Sequence, residues 1–290
     1  MRPALVIRNG LLVATGLMLA ACTTAENSPA GLVPGGTCLT DQTPRADLIV
    51  AGSGSVLPLA QRVHDHMAAV SPDMVVWMPE SLGTAGGIAA LRDGAIDIAL
   101  VSRSLSEEEQ AGLMVRPIAQ AASTFFVNRD GVTELQRADL IAIYRGELRE
   151  WPDGTPIVPL LREPGDSGER TLSVHWPDVY DELQQARDSG RWPIQSTDQE
   201  MVAALRDTPG AIGLLDVGLS AGLGLEMPRI DGIRPDEATL MAGEWPLMRP
   251  LSALFPAEPS EAAQAWLRSA EVALQPLPSG WVGYEPAGLP

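Results

Sequence analysis

The sequence predicts an α/β fold in which mostly parallel sheets are flanked by helices. Two observations carry that expectation. Short apolar runs of strand length alternate with amphipathic stretches of helix length, the pattern of βαβ units. Three of the runs are also followed by turns that combine glycine with Ser or Thr and open a helix, as at the C-terminal ends of parallel strands.

In chain order, Asp47–Ala51 (DLIVA) is the first apolar run, and Gly52-Ser53-Gly54-Ser55 follows it. Val56–Val70 reads as a helix, with apolar residues at 56, 59, 60, 63 and 67 on one face. Met74–Met78 is a second strand. Ser81–Gly87 (SLGTAGG) is expected to be a glycine-rich turn, with a helix starting at Ile88. Ile96–Val101 is a third strand, and Ser104–Glu109 resembles a capping box at a helix start. Thr124–Val127 is a further strand, Arg137–Tyr144 a helix and Ile157–Leu161 a strand. Gly165-Asp166-Ser167-Gly168 leads into one long acidic helical region ending at Arg187. Ala211–Leu215 is a strand and Ser260–Ala273 an amphipathic helix. Trp151 and Trp245 stand in Trp-Pro pairs and are expected to pack at loops.

Charge narrows the function. The 290 residues carry 37 Asp+Glu against 20 Lys+Arg, a formal net charge of −17, and every basic residue is arginine. Such an acidic chain lacks the broad basic surface of nucleic-acid binders. Without lysine it cannot form a Walker A site, a Schiff base or a Ser-Lys dyad. No cofactor is expected. His64-Asp65-His66 is not read as a metal site, because ligands at i and i+2 do not share a helix face.

The N-terminus reads as an address. Arg2 and Arg8 precede a short apolar stretch, Leu11–Ala21, too short to span a membrane. It ends in Leu19-Ala20-Ala21-Cys22, which resembles a bacterial lipobox and implies cleavage before a diacylated Cys22 that anchors the protein to a lipid membrane. Removing residues 1–21 takes away two arginines and no acids, so the charge goes from −17 to −19. Residues 22–45, rich in Thr, Gly, Pro and Ala, read as a flexible tether. Cys38 is then alone, so no intramolecular disulfide is expected.

The three Gly-Ser/Thr turns share one chemistry. Glycine lets backbone N–H groups converge, a helix N-terminus adds roughly half a positive charge, and hydroxyls add donors. Together they suit an oxyanion. Arg103, just past the third strand, and Arg162, at the end of the 157–161 strand, could bring guanidinium forks to the same place.

These motifs also carry a family resemblance. GSGSVLPLAQRV (52–63), ESLGTAGGIAALRDGAIDIALVSRSLSEEE (80–109), FFVNRDGVTELQRADLIAIYRGELREW (125–151), LREPGDSGERT (161–171) and GAIGLLDVG (210–218) occur in the order seen in the substrate-binding proteins of phosphate ABC transporters, a branch of the type II periplasmic binding proteins. The resemblance implies a two-lobed fold with a two-crossing hinge. Lobe 1 would be 46–124 plus 213–290 and lobe 2 would be 125–212. It implies a monomeric, non-enzymatic lipoprotein at the cell envelope that captures phosphate or a similar oxyanion and presents it to a permease. Carried over, Ser55 and the Val56 N–H come from the first turn, Thr84 from the second, and Arg162, Ser167 and the Gly168 N–H from the third. Arg103 stands where the family often has an Asp that accepts the ligand's proton, and Glu169 where it often has Thr. Asp166 is extra. It is either a replacement proton acceptor or a sign of another oxyanion, such as sulfate, molybdate or tungstate. A binding-only sensor or accessory protein of the same fold remains an alternative. A trypsin-like hydrolase built on Gly165-Asp166-Ser167-Gly168 would need an all-β fold, which the βαβ pattern contradicts.

Overall fold

The computed structural model describes residues 46–283. The expected signal peptide, the tether, Cys22 and Cys38 lie outside these residues.

The chain starts with β1 (Leu48–Gly52), α1 (Leu57–Val70), β2 (Val76–Trp77), α2 (Gly83–Arg92) and β3 (Ile98–Val101). Leu59, Ala60, Val63 and Met67 of α1 are buried, as their spacing requires. One expectation fails at α2, because Gly83-Thr84-Ala85-Gly86-Gly87 forms the start of the helix rather than a turn before it. The glycines there serve packing. A Cβ on Gly87 would lie 2.8 Å from the Gly52 Cα, so only glycine lets α2 approach β1 so closely. Then come α3 (Glu107–Gln110), capped reciprocally by Ser106 and Glu109, and the fifteen-residue β4 (Leu113–Val127). β5 (Glu134–Leu135), α4 (Arg137–Arg145), β6 (Val158–Pro159) and β7 (Leu161–Arg162) follow.

The acidic helical region is two helices, α5 (Ser167–His175) and α6 (Pro177–Asp188). Pro177 disfavours helical geometry at the residue before it, and Trp176 sits at φ −133°, ψ 64°. The remaining elements are β8 (Ile194–Gln195), α7 (Asp198–Asp207), β9 (Ala211–Asp216), β10 (Arg229–Ile230), α8 (Glu237–Met241), β11 (Met248–Pro256), α9 (Glu261–Ala273) and β12 (Trp281–Val282).

The main sheet runs β2-β1-β3-β11-β4-β9-β6, with β12 also on β4. Its flanks are parallel (β1 with β2 and β3, β6 with β9), as expected of βαβ units. Its centre is antiparallel, because β11 returns between β3 and β4, and β4 runs against β9. β4 changes partner midway. It pairs with β11 through Ala122 and with β9 from Ser123 onward.

Buried side chains group on either side of that change. On one side, Leu48, Leu59, Ile98, Leu251, Phe255 and Trp266 form a core under α1 and α9. On the other, Phe125, Leu140, Tyr144, Leu183, Ile212 and Trp245 pack together. Each large apolar side chain removed from water contributes about 1.5–3 kcal/mol to its own core. The expected division after 212 does not match this grouping. Leu214, Ile230, Leu240, Trp245 and Leu247 pack with the second core, so the chain returns to the first core near Met248. Trp151 and Trp245 are themselves buried, and their indole N–H groups donate to the Gly210 and Ser123 carbonyls at 3.0 and 2.9 Å.

Candidate functional site

The C-terminal ends of parallel strands β1 and β3 lie at one edge, and the loops leaving them meet the loops before α5 and α7 around a cavity of about 220 Å³. Gly52 makes the first turn possible. Its φ is +132°, and a Cβ there would lie 2.3 Å from the Leu100 carbonyl oxygen. Ser53 and Gly54 line the cavity from this turn, Thr84 lines it from the first turn of α2, and Arg162, Ser167 and Asp198 line it from the second core's side. Thr84 Oγ1 accepts from the Ser102 N–H at 3.2 Å and lies 3.4 Å from Ser167 Oγ, a hydroxyl contact between the two sides.

Arg162 is the buried cation of the cavity, with 6% of its surface exposed. Its Nε and Nη2 donate to Asp166 Oδ2 at 3.2 and 3.0 Å, and Nη2 lies 3.8 Å from Asp198 Oδ1. Its Nη1 is buried without a partner among the described residues. A buried unpaired donor of this kind is costly unless something accepts from it.

Asp166 does not stand free as a proton acceptor. It is the N-cap of α5, and its Oδ1 accepts from the Gly168 and Glu169 N–H groups at 2.9 and 3.1 Å. Both of its oxygens therefore have protein partners. Burial alone would raise its pKa, but Arg162, Arg249 and the Glu169 N–H outweigh burial and lower it. The Gly168 N–H expected to face an anion is thereby committed to Asp166. The physical reason is proximity: a helix N-terminus beside a guanidinium attracts the nearest carboxylate.

Two further expectations shift. The Val56 N–H donates to the Ser53 carbonyl within the turn at 3.2 Å, and its side chain is buried in the first core. Ser55 sits behind the cavity wall, where its Oγ accepts from Arg249 Nη2 at 2.8 Å and lies 3.4 Å from Asp198 Oδ2. Arg103 does line the cavity, but its fork is held by Glu109 at 2.7 and 2.8 Å. Those hydrogen bonds hold the Glu109 carboxyl down, at about 2, against a partial desolvation. Glu169 faces away from the cavity into a buried pair with Arg187, whose Nη2 lies 2.6 and 2.5 Å from its two oxygens. Burial nevertheless pushes Glu169 up to about 7, with Arg187 opposing.

Sequence reasoning missed Asp198 and Arg249. Burial pushes the Asp198 carboxyl up to about 6, with Arg162 opposing and Asp166 and Asp216 adding to the rise. The helix it opens was signalled by Thr197-x-x-Glu200, a Ser/Thr-x-x-Glu start in which Thr197 caps the Glu200 N–H. Arg249 lies inside an apolar strand whose two prolines obscure it. No histidine lines the cavity. Among the described residues, no group of three His, Cys, Asp or Glu side chains is placed to hold a metal ion.

Comparison with known proteins places this geometry among relatives. The family model described as a PBP superfamily domain matches residues 39–268. The phosphate-binding protein PstS of Bacillus subtilis (strain 168) is 24% identical over 247 residues, covering 82% of this chain and 79% of that protein. A phosphate-bound structure assigned as a phosphate ABC transporter substrate-binding protein from Clostridium perfringens superposes with a TM-score of 0.67 at 19% identity, covering 82% of this chain and 99% of the other. An ABC-type phosphate transport receptor from Vibrio cholerae gives 0.56 at 20% identity, with 82% and 100% covered. At these identities the two structures show a shared fold.

Proposed function

The chain belongs to the PBP superfamily, and from that membership we propose that it captures an inorganic oxyanion, phosphate before others, in the cavity described above and passes it to an ABC permease. Arg162 carries the reading. It is a nearly buried guanidinium with an unpartnered Nη1, and it lines a small cavity beside the hydroxyls of Ser53, Thr84 and Ser167. A tetrahedral oxyanion supplies acceptors to all of these donors at once. The Bacillus subtilis relative is named for phosphate binding, and the Clostridium perfringens neighbour holds phosphate, which supports the choice of anion.

Asp166 is committed to the α5 N-terminus, so the acceptor for a ligand's proton is Asp198. A carboxylate there welcomes an anion that still carries a proton and opposes one that does not, favouring hydrogen phosphate over sulfate. The two cores act as two lobes, hinged where the chain crosses near Ser123 and Met248, and closure brings Thr84 against Ser167. The protein binds and releases without making or breaking covalent bonds. It works outside the cytoplasm, held to the membrane by acylated Cys22. No helix among the described residues is long and apolar enough to cross a membrane.

Calorimetry on the full protein with phosphate, sulfate, molybdate and tungstate tests the reading. Phosphate binding in the micromolar range is expected, with sulfate far weaker. Arg162→Ala removes a charged donor contributing about 1.5–3 kcal/mol, so phosphate affinity should fall roughly 10- to 100-fold. Absence of binding by all four anions refutes the proposal.

A further inference from the structure

A buried ion pair sits where β4 changes partner. Asp216 on β9 lies opposite Ser123, and Arg249 on β11 lies opposite Ala121. Arg249 Nη1 and Nη2 donate to the two Asp216 oxygens at 2.6 and 2.7 Å. Nη1 also donates to Ser123 Oγ at 2.6 Å, and that hydroxyl donates to Asp216 at 2.8 Å. Arg249 and Asp216 are 5% and 3% exposed. Stability alone is a weak reason for so deep a pair, since well-packed apolar residues often serve as well.

The pair also reaches the cavity. Arg249 Nη2 has a second acceptor, Ser55 Oγ at 2.8 Å. Because that oxygen accepts from Arg249, its own proton is directed elsewhere, and Asp198 Oδ2 at 3.4 Å is the acceptor in reach. Asp198 lines the cavity, whereas Ser55 and Arg249 do not. The fit there is close, because a Cβ on Gly54 would come within 2.5 Å of Asp198 Oδ2. The Arg162 guanidinium lies further from Asp198, at 3.8 Å, so the Ser55 hydroxyl is the nearer of these two partners. The linked groups come from distant parts of the chain, with 194 residues separating Ser55 from Arg249 and 143 separating Ser55 from Asp198.

We propose that Arg249 is a positioning residue for the anion cavity: it fixes the Ser55 hydroxyl, which holds the Asp198 carboxylate at the cavity wall, and its bonds to Asp216 and Ser123 tie that wall to the strand junction. The inference rests on the anion-receptor reading. Its consequence is that anion affinity depends on a residue that touches no anion, and that, once the charge of Asp216 is removed together with that of Arg249, it does so through Ser55.

A double-mutant cycle on the full protein tests it, with phosphate titrated by calorimetry. The variants are Arg249→Gln with Asp216→Asn, Ser55→Ala, and all three substitutions together. The amide pair keeps hydrogen-bonding groups in place while removing the guanidinium fork and the charge it neutralises. With Ser55 present, the amide pair should weaken phosphate about tenfold. With Ser55 already alanine, the same pair should change affinity by less than about twofold. Equal losses in both backgrounds, or no loss in either, overturn the proposal, because a merely structural pair would act without regard to Ser55. If thermal melts show the amide pair unfolded, Arg249→Lys replaces it. Lysine keeps the charge but replaces the two-nitrogen fork that spans Asp216, Ser123 and Ser55 with one ammonium, so the Ser55 hydroxyl is no longer fixed in place, and the same Ser55-dependent loss is expected and is read the same way. A parent protein that binds no oxyanion defeats the receptor reading and this inference with it. A parent that binds phosphate while the losses simply add defeats this inference alone.

Discussion

Asp198→Asn separates two consequences of one buried carboxyl. Burial pushes Asp198 from an ordinary 3.8 to about 6, with Arg162 pulling against it. In the unfolded chain the group titrates near its ordinary value. Between roughly pH 4 and pH 6 the native protein therefore binds this proton more readily than the unfolded chain does, and stability falls as pH rises through that window. A rise of about two units corresponds to about 3 kcal/mol. Asparagine has the same shape and no such titration. The difference in unfolding free energy, variant minus parent, should therefore grow by about 2 kcal/mol from pH 4 to pH 7. The other carboxylates titrate in both proteins and largely cancel. Urea unfolding at four pH values across that range measures it. On the proposed role of Asp198, the same variant should bind phosphate more weakly at pH 7 while being the more stable protein. Parallel stability curves, or a difference that shrinks as pH rises, would refute this account of the carboxyl.

Arg103→Gln should weaken phosphate by less than about threefold, far less than Arg162→Ala, because Glu109 already holds the Arg103 fork; calorimetry on the two variants checks the order. Gly87→Ala should destabilise the protein by about 1–3 kcal/mol in urea, since its Cβ would meet the Gly52 Cα at 2.8 Å and neither backbone can turn aside. Phosphate affinity should change little when salt is raised from low to physiological strength, because Arg162 is buried and Arg103 is paired with Glu109, which leaves Arg170 as the exposed arginine of the lining, and a buried contact is poorly screened. A steep loss with salt would mean that exposed arginines hold the ligand.

What could be read in advance depended on how local each signal was. β1, β3 and, up to Leu215, β9 are short apolar runs, and the faces of α1 and α9 are marked by apolar spacing, so all five are visible in any window of the chain. The first eleven residues of β4 and all of β11 were not visible. Arg116, Pro117 and Gln120 break the pattern of one, and Arg249, Pro250 and Ser252 that of the other. Each strand is nonetheless held by the other, an antiparallel pairing between segments more than a hundred residues apart. The site divides the same way. Thr84, Arg162 and Ser167 stand in or beside short glycine-bearing motifs and were legible, although Thr84 lies in the first turn of α2 rather than in a turn before it. The partners that commit Asp166, withdraw Ser55 from the cavity wall and bring Asp198 to it are set by tertiary contacts.

The charge of the chain can now be placed. A net charge of −17 opposes the approach of an anion, and the cavity does not counter it with surplus cations. Of the arginines that line it, Arg103 is met by Glu109 and Arg162 by Asp166 and more distantly by Asp198, while Arg170 is exposed; Arg249, behind the wall, is met by Asp216. An arriving anion finds Arg103 and Arg162 already paired. What remains unsatisfied is directional: one buried N–H of Arg162 and hydroxyls that donate to little besides one another. Attraction at a distance is then weak and binding is decided at contact, where acceptor geometry and the ligand's own proton count for more than its charge. A buried carboxylate beside those donors is consistent with this. Asp198 would be a poor feature for a site that attracts negative charge in general, and a useful one for a site that accepts only an anion able to donate a hydrogen bond in return.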